Sequence, residues 1–278
     1  MPLDQIDVDQ ESLNVGDEKE MSFLDHLEEL RWHLIRSVAS IALFAVVVFL
    51  PGQWVFDNII LAPKQSSFIT YQIINGIFPG LNFYPPDFQL ITKELGEQFI
   101  VHLKVSMLLG LVISFPYIFW EIWRFIKPGL YETEQKAARG IVLVCSLLFL
   151  SGVFFGYFVI SPFAITFLAG YNVGAVSAPT LASYVSYMTM FTVPTGLVFE
   201  LPIVVYFLSK VGLLYPDFMR SYRRHAFVII LIMAAVITPP DVITQFLIGM
   251  PLFLLYEVSI VICQRVTKRA EEKSLSKT

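Results

Sequence analysis

Cysteine is scarce in this chain: two residues in 278, Cys145 and Cys263. Both lie inside apolar runs without metal-ligand spacing around them, which argues against a disulfide framework or a zinc site and leaves them as packing residues. Charge is scarce as well, at 15% of residues with a net charge of −4. No basic stripe dominates outside the flanks of the apolar runs, so nucleic acid is not the expected partner. Four histidines, His26, His33, His102 and His225, fall outside the apolar spans or at their ends. The HLEEL segment is not HExxH, and no Ser or Cys is placed with a His at membrane depth, so hydrolytic chemistry is not expected and no cofactor or metal is called for. The first twenty residues have neither the basic start and apolar stretch of a cleavable signal nor the Arg-rich composition of a transit peptide. They are acidic and poor in aromatics, the composition of a solvated, disordered tail.

What the chain has in abundance is apolar surface. Hydrophobic residues make up 56% of it, with 25 Phe, and mean hydropathy is +0.67. The expected fold is all-α, a polytopic membrane bundle with spans near 34–50, 101–120, 141–161, 184–209, 226–238 and 242–256. Six spans put both termini on one side. Lys and Arg gather in the connections 121–140 and 210–225 and in the C-terminal tail, whereas the opposite connections hold Lys64 and Lys93, so both termini are expected in the cytoplasm. The fifth and sixth spans read as short. At 1.5 Å per residue, the fifth covers about 20 Å against roughly 30 Å of hydrocarbon, a mismatch that thinning of the bilayer or partner helices can relieve. The expected organisation is an acidic tail over 1–20, a membrane domain over 21–263 that begins with an amphipathic helix at 22–33, and a basic tail over 264–278.

Two connections are distinctive. The stretch 51–100 is long and aromatic, with Asn-Gly, Pro-Gly and Pro-Pro-Asp breaks that predict short helices and extended pieces over the membrane face. The stretch 161–184 carries no charge and reads as a membrane-hugging cap. A weak internal echo links FIKPGLYETE to LSKVGLLYPD; an ancient parallel repeat and ordinary helix C-cap chemistry both produce it.

Three carboxylates stand out. Glu200 lies in FTVPTGLVFELPIVVYFL between Pro194 and Pro202, an ionisable group at membrane depth in a helix that two prolines bend. It is expected to reach water or a partner's helix; a hydrogen bond to a neighbouring helix is the structural alternative. In SFLDHLEELRWHL, Ser22 and Asp25 form a capping box and Phe23, Leu27, Leu30 and Leu34 recur at helical spacing. That pattern turns Asp25 and Glu29 away from the apolar stripe, either to accept an arginine or merely to pair locally with Arg31 or His33. Glu134 follows the aromatic exit of the second span. Two carboxylates on different elements of one membrane face could hold guanidinium groups bidentately, which ammonium reproduces poorly.

The segments HLEELRWHL, WRFIKPGLYETE, FELPIVVYFLSKVGL and TPPDVITQFLIGMPLFLLYE, in that order between residues 22 and 263, resemble the TatC family, the multispanning core subunits of the twin-arginine protein translocase. The resemblance implies a receptor, not an enzyme, in the bacterial inner membrane. It implies binding of twin-arginine signal peptides of folded proteins at the cytoplasmic face, partnership with TatB and TatA-type single-span subunits in a multi-copy complex, and transport driven by the proton-motive force. By position in these motifs, it implies that Glu29 and Glu134 receive the arginines, with Arg31 and Phe125 beside them. It likewise implies that Glu200, Asp241 and Pro63 are the intramembrane acid, the acid after the fifth span and the proline after the first. The chain departs from the family pattern in its longer 51–100 connection and in Gln135, which stands where a basic residue is usual. A proton-coupled transporter of a small solute, using Glu200, is the rival reading from the residues alone.

Overall fold

The structure is a computed structural model that describes residues 23–127, 140–171, 174, 178–237 and 242–275. Its elements are helices: α1 (Phe23–Phe49), α2 (Gly52–Val55), α3 (Ile69–Ile77), α4 (Glu97–Ile126), α5 (Ile141–Phe155), α6 (Ser161–Gly170), α7 (Leu181–Val198), α8 (Leu201–Lys210), α9 (Pro216–Ser221), α10 (Arg223–Ile237) and α11 (Val242–Leu275). Among the described residues, five stretches are long and apolar enough to cross a membrane: Leu27–Phe49, Glu97–Ile126, Ile141–Gly170, Leu181–Lys210 and Gln245–Arg269. The expected fifth span corresponds to α10, whose 15 residues cover only about 22 Å.

The amphipathic segment and the first span form one continuous helix, α1, and its polarity runs opposite to a soluble protein's. Leu27, Leu30 and Leu34 are exposed, with Leu34 at 63%, while His33 and Ser37 are buried. In a bilayer the apolar stripe faces lipid, and the 29/33/37 stripe turns inward against α4. Glu29 points away from the apolar stripe, as its spacing predicts, but that side is turned toward α4 and is not a solvated face. His33, expected outside a span or at its end, lies buried within the stretch Leu27–Phe49.

Close helix contacts come from small residues. A Cβ on Gly110 of α4 would meet the backbone of α1 at Ala45 N, 2.7 Å away. A Cβ on Gly152 of α5 would meet Gly196 Cα of α7 at 2.8 Å, and one on Gly156 would meet Thr192 Cα at 2.8 Å. Gly152 and Gly156 are spaced as in the small-xxx-small pattern that lets membrane helices touch backbone to backbone.

Two further corrections concern helix extents. Residues 161–170 are not a cap: they continue the third span as α6 through a single wide turn at Gly156–Ile160. Ser161 Oγ donates to Gly156 O at 2.8 Å within that turn. Pro162 has no N–H for the carbonyl four residues back, Phe158, and Thr70 Oγ1 of α3 donates to it instead. The last helix does not stop near 256 but runs to Leu275, taking in most of the expected basic tail. The 1–20 tail lies outside the described residues.

The 51–100 connection forms short helices and extended pieces, as its breaks predict, and it is fixed by tyrosines. Irregular backbone next to hydrocarbon needs internal partners, and hydroxyls supply them. Tyr157 donates to Ile59 O at 2.6 Å, Tyr184 to Ile60 O at 3.0 Å and Tyr71 to Pro63 O at 2.9 Å. Burial pushes the Tyr71 phenol up from its ordinary range. Further on, Ile91 pairs in parallel with Thr180. The buried Glu97 carboxylate accepts the N–H of Lys93 at 2.7 Å and of Ala182 at 3.0 Å, joining the starts of α4 and α7. At the far end of α8, Gly212 has φ +79° and Leu213 N donates to Leu208 O at 2.9 Å. This is helix C-cap geometry, which accounts for LSKVGL without a repeat; FIKPGLYETE extends into residues outside those described.

Candidate functional site

The polar site of the bundle lies where α1 begins and α4 ends. Glu29, His33 and Ser37 follow one another at i+4 spacing, which stacks them on one helix face. From α4, Glu121 meets them with only 1% of its surface exposed. His33 Nδ1 makes a short hydrogen bond to Glu121 Oε2 across 88 residues of sequence. Tyr117 donates to Glu121 Oε1 at 2.7 Å, and Arg36 stands 3.8 Å from Oε2. The other imidazole nitrogen, Nε2, faces Glu29 Oε1 at 3.9 Å. Edge-on contact with the Phe125 ring, centroids 6.0 Å apart, closes this side of His33. A carboxylate buried this fully is tolerable only with charged and hydrogen-bonding partners around it, and Glu121 has three.

Glu29 is different. Its side chain is about one-third exposed, and its Oε2 is buried with no hydrogen-bond partner among the described residues. An anionic oxygen out of water and unpaired is an expensive arrangement, and an incoming N–H donor would relieve it.

The expected site residues are distributed as follows. Glu29 and Phe125 come together around His33. Arg31 is exposed, two residues beyond Glu29 and so on another side of α1. Pro63 is buried in the turn Ala62–Lys64 and holds Tyr71. Glu134 and Asp241 lie outside the described residues. Glu200 sits at the break between α7 and α8, where its carbonyl accepts Ile203 N at 3.0 Å and Val204 N at 3.1 Å. Cys145 and the backbone at Phe149, both on α5, are within electrostatic reach of its carboxylate. Neither carboxylate oxygen has a hydrogen-bond partner among the described residues. Sequence reasoning missed Glu121, although an acid in the apolar run FPYIFWEIW was the same kind of signal that drew attention to Glu200.

Residues 25–251 match the family model of the Sec-independent protein translocase protein (TatC). The chain belongs to the TatC family. TatC of Blattabacterium sp. subsp. Periplaneta americana is 36% identical over 91% of this chain and 99% of its own. TatC of Helicobacter pylori strain J99 is 38% identical over 87% and 88%. A crystal structure titled Twin Arginine Translocase Receptor TatC superposes with a TM-score of 0.67 at 33% identity, covering 87% of this chain and 99% of that one. A second, in DDM, superposes at 0.70 with 34% identity. The protein is thus a Sec-independent protein translocase component, a multi-pass protein of the bacterial inner membrane and part of a multi-subunit Tat complex. Relatives are named for protein transport and not for catalysis, which sets aside the solute-transporter reading of Glu200.

Proposed function

We propose that this chain is the signal-peptide receptor of its translocase, and that the end of the bundle around Glu29 takes the arginine pair of a twin-arginine signal peptide. The observation that carries this reading is the buried Oε2 of Glu29, without a hydrogen-bond partner among the described residues, beside His33 and Phe125. A guanidinium offers N–H donors in a fixed fork that can engage both oxygens of a carboxylate. Glu134 is the second carboxylate of the reading. The Lys and Arg bias of the flanking segments supports a cytoplasmic location for this face. TatB and TatA-type single-span subunits join the complex, with Glu200, Asp241 and Pro63 assigned to coupling within the membrane, and the proton-motive force drives export.

Truncating one partner of a desolvated charge pair costs about 2–5 kcal/mol. Glu29→Ala and Glu134→Ala are therefore expected to weaken capture of a twin-arginine peptide at least thirtyfold while the purified protein stays folded. Affinity measured on the full chain in lipid nanodiscs, with a photo-crosslinkable twin-arginine peptide, checks this. Wild-type affinity in both variants overturns the proposal.

A further inference from the structure

We propose that Glu121, acting through His33, is the positioning residue that orients Glu29 for guanidinium recognition; this rests on the receptor reading of Glu29. The buried carboxylate of α4 fixes the imidazole, and the imidazole in turn faces one oxygen of Glu29 at ion-pair distance.

Glu121 occupies a position in α4 where a leucine would pack at no electrostatic cost. A fully buried acid is a weak contributor to stability and a strong contributor to geometry when its partners are fixed. Its two oxygens are divided: Oε1 takes the Tyr117 hydroxyl and Oε2 takes His33 Nδ1. The hydrogen bond at one imidazole nitrogen sets the orientation of the ring, and a carboxylate behind a histidine favours the imidazolium, the form in which both nitrogens donate. With Nδ1 held by Glu121, Nε2 points toward Glu29 Oε1 at 3.9 Å, ion-pair range for the imidazolium form and beyond hydrogen-bond length. Phe125 blocks ring rotation from the side, and Ser37 Oγ donates to the His33 carbonyl at 2.9 Å on the same stripe. Glu29 thereby has one oxygen facing the imidazole, and Oε2, without a partner among the described residues, is left for a ligand.

The chemical consequence is selectivity. A forked, planar guanidinium needs a carboxylate in one orientation, whereas an ammonium is a point charge that accepts many. Loosening Glu29 should therefore harm binding of arginine more than binding of lysine. Simple destabilisation of the α1–α4 contact would weaken both alike.

The test compares a twin-arginine peptide with its twin-lysine counterpart on the full chain in nanodiscs, for wild type and for Glu121→Gln, His33→Gln and Glu29→Gln. The expected result is that Glu121→Gln and His33→Gln each lower the arginine-over-lysine affinity ratio about tenfold, a typical effect for disturbing a charge-assisted pair, while Glu29→Gln abolishes arginine binding. If Glu29→Gln abolishes binding but the ratio is unchanged in the other two, the positioning role is overturned and the receptor reading survives. If Glu29→Gln binds as wild type does, both fall. Should Glu121→Gln fail to fold, His33→Gln decides alone, because it removes the relay and leaves the α4 carboxylate its Tyr117 and Arg36 partners.

Discussion

At the scale of single residues, the bundle treats two acids of its spanning stretches, Glu121 and Glu200, in opposite ways. Glu121 is satisfied on both oxygens by groups of this chain. Glu200 is satisfied on neither among the described residues, although its backbone is tied into the α7–α8 junction. Burying an unpartnered carboxylate costs free energy that the fold must supply from other contacts, and an acid kept there despite that cost is a candidate for work done with another chain. The Glu200→Gln variant retains the shape and loses the capacity for charge. It is expected to bind twin-arginine peptide as wild type does, since Glu29 lies on a different part of the bundle, and to export a folded reporter at least several-fold more slowly. Export rate in cells, with peptide affinity measured in parallel, checks both halves; unimpaired export overturns the coupling role.

At the scale of elements, contacts between helices are set by where glycine permits approach. The α5–α7 contact depends on Gly152, Gly156 and Gly196, and every Cβ added there meets backbone or a packed ring within 3 Å. Side chains can rotate away but backbone cannot, so Gly156→Leu should force α5 and α7 apart at a cost of about 1–3 kcal/mol. A drop in the thermal unfolding midpoint in detergent is expected, while Gly76→Leu, where an added Cβ meets nothing within 4 Å, serves as the neutral comparison. The GVFFG spacing was visible in the sequence, but its partner Gly196 was not, because nothing local says which helix faces which. The same limit applies to the proposed recognition site. Glu29 could be read from its own helix, whereas Glu121 gains its meaning from His33, 88 residues away. The amphipathic pattern of α1 was legible but not what each side meets: an apolar stripe marks the core of a soluble helix, but here it marks the lipid. The existence of the five long stretches, by contrast, was legible, since hydrocarbon thickness demands long apolar runs whatever packs against them, but their ends were not: the third runs on to Gly170 and the last to Arg269.

At the scale of the whole molecule, the long stretches and the short α10 matter together. Five stretches alone would put the two ends of the chain on opposite faces; counting α10 as a sixth crossing brings them to the same face. Contacts at the ends of the last helices favour the second arrangement. Arg223, which opens α10, pairs with Glu257 of α11 at 2.7 Å, and Arg220 donates to Gln264 at 2.9 Å, so the start of α10 and the later part of α11 lie side by side as in a hairpin. Because Cys145 and Cys263 are fully buried, single engineered cysteines can report sidedness against a low background. Asp87 and Glu272 are both exposed, the first in the 51–100 connection and the second near the end of α11. In intact spheroplasts, Asp87→Cys is expected to react with a membrane-impermeant maleimide, and Glu272→Cys is expected to react only after the membrane is opened. Labelling of both from outside would mean that α10 does not cross, and the cytoplasmic placement of the C-terminal helix would fall with it.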